Sequence, residues 1–274
     1  MGIVILGLPG RTLFTALLVV TAHGVPADTT RRAGRESVED APLRVRFREG
    51  VTHGFLELFD LQGRRIADGT QLQMQSDNTS ESRLTFRFSD GSLYDERARY
   101  TQDGVFRLRK YHMIARGPAY SDDVEATFDE SGTYDVTATS HKDNERHHWS
   151  GKLDLPPDVY NGMTVLVAKN LPPGTSREIH MLAFTPKPML IRVAYVPTGR
   201  DPLRLGGSSG SALHYTLKPK IGAIKSAVAH VIGESPPDAH MWIVTNDAPA
   251  FVRFQGPLGP GPVWRIDLSA PRWR

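Results

Sequence analysis

From Leu43 onward, apolar and polar residues alternate. Leu43, Val45 and Phe47 stand against Arg44, Arg46 and Arg48, a period of two that places apolar side chains on one sheet face and guanidinium groups on the other. The same alternation surrounds Phe55 and Phe59, then Leu72 and Met74, then Leu84, Phe86 and Phe88. Asp90-Gly91 supplies the pair best suited to a tight hairpin turn. Further strands are predicted at Tyr94 to Tyr100, Val105 to Met113, Val124 to Phe128, Tyr134 to Ala138 and His148 to Leu155. Short alternating segments at such regular spacing predict an antiparallel meander.

The rhythm breaks after Pro156-Pro157-Asp158. Tyr160, Met163, Thr164, Val167 and Leu171 recur at helical spacing, so a helix is expected over Val159 to Leu171, with Asp158 as its cap and Pro172-Pro173 as its stop. A second short helix is expected over Ile221 to Ile232. Strands are expected at Arg177 to Thr185, Met189 to Val196, Ser211 to Lys220, Ala239 to Thr245, Ala250 to Gln255 and Val263 to Ser269. The fold class that follows is mainly β: a curved antiparallel meander forming a half-barrel or open barrel around one or two short helices. The first helix is expected to fill most of its inner face.

Residues 1–27 carry one charge, Arg11, an apolar run from Thr12 to Ala22, and the small-residue site Val25-Pro26-Ala27. This is the pattern of a secretory signal peptide. An uncleaved N-terminal anchor is the alternative, although the run is shorter than a spanning helix requires. Residues 28–42 are polar, charged and aperiodic, as in a disordered spacer, and residues 43–274 are expected to form a single barrel-like domain. The expected location is therefore outside the cytoplasm, in the periplasm or secreted, at most peripheral to a membrane.

Composition narrows the chemistry. The chain has no cysteine, which removes thiol catalysis, thiolate metal sites and iron–sulfur clusters. A net charge of +3, with only Arg11 lost on removing the leader, does not predict a nucleic-acid partner. Gly206-Gly207-Ser208-Ser209-Gly210 fits G-x-S-x-G, but a strand-like segment follows where a nucleophile elbow needs a helix. His147 and His148 are adjacent, so on a strand they face opposite ways and do not share an ion. The acidic pairs Asp95-Glu96 and Asp122-Asp123 lie near turns or strand ends and read as solvated carboxylates. No catalytic residue, metal or cofactor is expected.

The order of elements, with Pro157, Asp158, Asn161 and Gly162 at the helix and the Trp242 to Asp247 strand with Val252 and Arg253 after its turn, resembles a family of exported bacterial proteins of unknown function. The resemblance implies a periplasmic half-barrel, similar in outline to the lipoprotein-carrier and lipoprotein-acceptor fold. It brings no catalytic residues. Pro249-Ala250-Phe251 departs from the basic residue expected after that turn.

A curved sheet around short helices has a concave apolar face, which is either core or a ligand site. Phe55, Phe86, Phe106, Met163, Val167, Trp242 and Trp264 are the expected lining for a lipid or other apolar small molecule in a non-enzymatic binder. The alternative is an envelope interaction module presenting Arg44, Arg46, Arg83 and Arg107 to an anionic partner.

Overall fold

In a computed structural model of the protein, the described residues are 41–184, 187–205, 208–220, 237–245 and 248–269. The expected leader, nearly all of the spacer and the helix expected over Ile221 to Ile232 lie outside them.

Among the described residues, fourteen strands make one antiparallel sheet. β1 (Thr52–Phe59), β2 (Arg65–Ser76), β3 (Thr79–Phe88), β4 (Leu93–Asp103), β5 (Val105–Arg116), β6 (Asp122–Asp129), β7 (Thr133–Ser140) and β8 (Arg146–Lys152) pair in sequence order. A connection carrying α1 (Thr164–Asn170) leads to β9 (Arg177–Ala183), β10 (Met189–Leu205), β11 (Ser208–Lys220), β12 (Ala239–Val244), β13 (Ala250–Pro257) and β14 (Val263–Leu268), again in order. β14 pairs with β1, so the two meanders meet in mid-sheet, and β8 and β9 are the edges among the described residues. This is the open, mainly β meander that the alternation predicts.

The sheet curls strongly. Laid flat, β5 and β9 would stand ten inter-strand spacings apart, about 48 Å. Yet the Tyr160 hydroxyl donates to the Phe106 carbonyl on β5 at 3.3 Å, while the Tyr160 amide donates to the His180 carbonyl on β9 at 3.0 Å. Phe184, just past β9, stacks on Tyr111 of β5 at 5.7 Å and lies 6.3 Å from Phe128 of β6. The β9 edge is thus folded onto the concave side of the first meander.

Three local expectations are corrected. Leu43 to Phe47 is not a strand: Arg44 forms an isolated bridge with Val105, while the Arg46 and Phe47 amides both donate to Asn170 Oδ1 at 2.8 Å. Its in–out alternation survives, with Leu43 buried and the three arginines exposed, because alternation reports sidedness and not ladder pairing. The helix is shorter than Val159 to Leu171. Val159 bridges to His180, the Asn161 side chain accepts from the Leu182 amide at 2.8 Å and donates to its carbonyl at 2.9 Å, and Gly162 takes φ +69 in a turn closed by the Met163 amide on the Tyr160 carbonyl, so the helix begins only at Thr164. Asp158 does not cap the helix; its carboxylate meets His180 Nδ1 at 2.7 Å. Finally, β10 runs on past Val196 to Leu205 through a register shift between Pro197 and Gly199, a bulge of the kind that accommodates proline in a ladder.

Candidate functional site

Among the described residues, the inner face of the curl is not filled. A cavity of about 1270 Å³ is lined by side chains from both meanders and the helix, among them Leu56, Leu84, Met113, Leu166, Met241 and Phe254. The short helix explains the space, since residues 159–163, expected to fill the centre, instead run along the β9 edge.

Register shows how the wall is built. Gly54, Gln71, Leu84, Glu96, Met113 and Ala126 are successive partners across β1 to β6, so they share one face, and all but Ala126 line the cavity. A carboxylate therefore stands in an apolar row, between Leu84 and Met113. Tyr111 Oη donates to Glu96 Oε1 at 2.7 Å, and the Tyr94 phenol stands near enough to help hold the Glu96 pKa down. Burial pushes the Glu96 pKa up, and the two phenols offset only part of that rise. Burial, followed by the Glu96 charge, pushes both tyrosines well above their ordinary value.

Asp95 has the opposite surroundings. It points to the outer face, where Arg83 contacts it at 2.5 Å and Arg97 at 3.1 Å. Burial would raise its pKa, but the bonds from Arg83 and then Arg97, with their charges, outweigh burial and lower it. Asp95 and Glu96 thus belong to different faces.

The other charged residues of the cavity lining are largely paired. Lys169 meets Glu49 at 2.6 Å and Lys220 meets Glu178 at 2.7 Å. Arg192 Nε donates to His180 Nε2 at 3.3 Å, and His180 Nδ1 faces Asp158, which requires the neutral Nδ1–H tautomer of that histidine.

None of the seven residues expected to line a ligand site is in this wall. Phe55 is on the outside, 60% exposed, against His53. Phe86 is fully buried and lies over Gly69, where a Cβ would come within 2.2 Å of its ring. Phe106 packs beside Tyr100. Met163 and Val167 are buried core at α1, and Trp264 packs between Phe88 and Tyr120. Trp242 stacks on His214 at 4.4 Å and donates to Asp201 at 2.7 Å; its neighbour Met241 faces the cavity. Of the seven, all but the exposed Phe55 pack against neighbouring side chains, and the wall is formed instead by aliphatic side chains, by other aromatics such as Tyr94, Tyr111 and Phe254, and by Glu96.

Of the four arginines expected to form an anion-binding face, Arg83 is engaged by Asp95, while Arg44, Arg46 and Arg107 are exposed. His147 and His148 lie on the exposed β8, with His148 bound to Asp135 at 2.8 Å. Ser208 and Ser209 open β11, a strand. No group of three or more potential metal ligands occurs among the described residues.

Neither a family model nor a curated protein matches this chain. Among solved structures, it is similar to a β-barrel-like protein of the domain of unknown function DUF1849 from Brucella abortus, at 10% identity and a TM-score of 0.41. That match covers 82% of this chain and 99% of the other.

Proposed function

We propose that this protein is a non-enzymatic binder of a lipid or other apolar small molecule, held in the cavity inside the curled sheet, and that it works outside the cytoplasm. The observation that carries this reading is the cavity itself. At about 1270 Å³ it exceeds the roughly 300–1,000 Å³ of ordinary small-ligand sites, and a largely apolar wall offers an apolar chain about 25 cal/mol per Å² of buried surface. The compartment is inferred from the signal-like residues 1–27. The non-enzymatic part is our reading; in its support, Ser208 opens a strand where a nucleophile elbow would need a helix.

Native mass spectrometry of gently purified protein, and of protein incubated with fatty acids and phospholipids, tests the proposal. Bound lipid is the expected result. N-phenyl-1-naphthylamine fluorescence should rise on binding, and Ala183→Trp, which places an indole in the lining, should weaken that binding about tenfold, equivalent to ~1.4 kcal/mol. A chain that stays ligand-free and gives no fluorescence change overturns the reading.

A further inference from the structure

Glu96 is out of keeping with an ordinary apolar pocket. Its cross-strand neighbours are Leu84 and Met113, and no lysine or arginine among the described residues pairs with it, whereas the adjacent Asp95 holds two arginines. Tyr94 and Tyr111 can each give one hydrogen, while an ionised carboxylate offers about four acceptor positions. An ionised carboxyl in such a wall therefore has no counter-charge among the described residues and fewer protein donors than acceptor positions, which a cationic partner with N–H donors would complete. Gly162 sets the space beside it. Its positive φ and the 3.5 Å between its virtual Cβ and Glu96 Cδ show the connection pressed against the carboxyl on one side, leaving the cavity as its remaining approach.

We infer that the cavity takes an amphiphile whose polar end is a protonated amine, seated on Glu96 between Tyr94 and Tyr111 with its apolar body along the apolar wall. An ammonium brings three donors and the missing positive charge. An anionic end meets repulsion at Glu96. The two lining lysines offer an anion little, since each is held by a glutamate; the remaining cation, Arg192, is exposed and bound to His180, and is where an anion would have to sit instead.

This inference rests on the cavity reading, and calorimetry on the full chain separates the two. Decylamine, decanol and decanoate, each below its micelle-forming concentration at pH 7, share one apolar body and differ in the end group. Decylamine should bind at least about tenfold more tightly than decanol, and decanoate more weakly than either. Glu96→Gln and Glu96→Ala should each bring decylamine to the decanol level while decanol stays within about threefold, with circular dichroism confirming the fold. Two substitutions guard against one that fails to fold. Equal binding of decylamine and decanol by the unmodified protein, tighter binding of decanoate, or an amine preference that survives both substitutions overturns the inference and leaves the cavity reading standing. Binding of none of the three overturns both.

Discussion

At the scale of single residues, two neighbouring carboxylates on β4 carry opposite electrostatics, and each makes a prediction. The folded pKa of Asp95 is lowered, so its contribution to stability is complete above the ordinary carboxylate value near about 4 and is lost as pH falls through the lower folded value. Urea melts should show Asp95→Asn destabilised at pH 7, with the difference from the unmodified protein closing below about pH 4. The folded pKa of Glu96 is raised, so the sign reverses. Both states hold the proton in acid, and as pH rises the unfolded chain ionises first, which drains stability. Glu96→Gln should therefore raise the melting temperature at pH 7 and lose that advantage in acid; the groups facing it are Tyr94 and Tyr111, both neutral there. A residue that costs stability and faces a cavity is what a ligand contact looks like energetically.

At the scale of elements, the connection before α1 decides whether there is a cavity at all. Its apolar spacing reads as helix from Val159, yet Asn161 and Gly162 prevent this by different means. Asn161 acts as a surrogate strand partner for both backbone groups of Leu182, and Gly162 holds a left-handed conformation with 2.9 Å between its virtual Cβ and the Ala98 Cβ. Asn161→Ala would leave a buried amide and carbonyl unpaired and should cost at least about 2 kcal/mol in urea denaturation. Gly162→Ala should cost about 1–3 kcal/mol and, by displacing the connection, change N-phenyl-1-naphthylamine binding as well. The Glu96 contact was legible in part. Tyr94, Ala98 and Tyr100 share its parity on β4, with Asp95, Arg97 and Arg99 on the other, so alternation alone turns Glu96 inward, although its nearness to Asp95 and to a turn reads as solvation.

At the scale of the whole molecule, the two meanders join at β1 and β14; the β9 end of the sheet is folded inward and the β8 end is left at the periphery. β8 is almost wholly exposed, with Arg146, His147, His148 and Lys152 along it, a charged edge that discourages strand addition. Hydrogen exchange should follow that layout. Amides of β1 and β14 should exchange at or near the rate set by global unfolding, and those of β8 should exchange faster by orders of magnitude through local opening. Uniform protection across the sheet would contradict it.

The alternation of apolar and polar side chains determined the strands by itself, because a period of two is a local property that any one-sided sheet imposes. That is why nearly every expected strand lies close to its observed position, and why Leu43 to Phe47 keeps its sidedness without its ladder. Sequence could not say which inward residues would be core and which would be cavity wall. Phe86, Phe106 and Trp264 are inward and large, and they pack because neighbours such as Gly69 and Gly261 make room for their rings. Leu84, Met113 and Glu96 line a cavity among the described residues because the β9 edge, fastened through Tyr160 and Asn161, turns onto β5 and α1 is too short to fill the space between. That distinction depends on contacts between residues more than fifty positions apart, such as Tyr160 and Phe106, and only the curl of the whole sheet creates them.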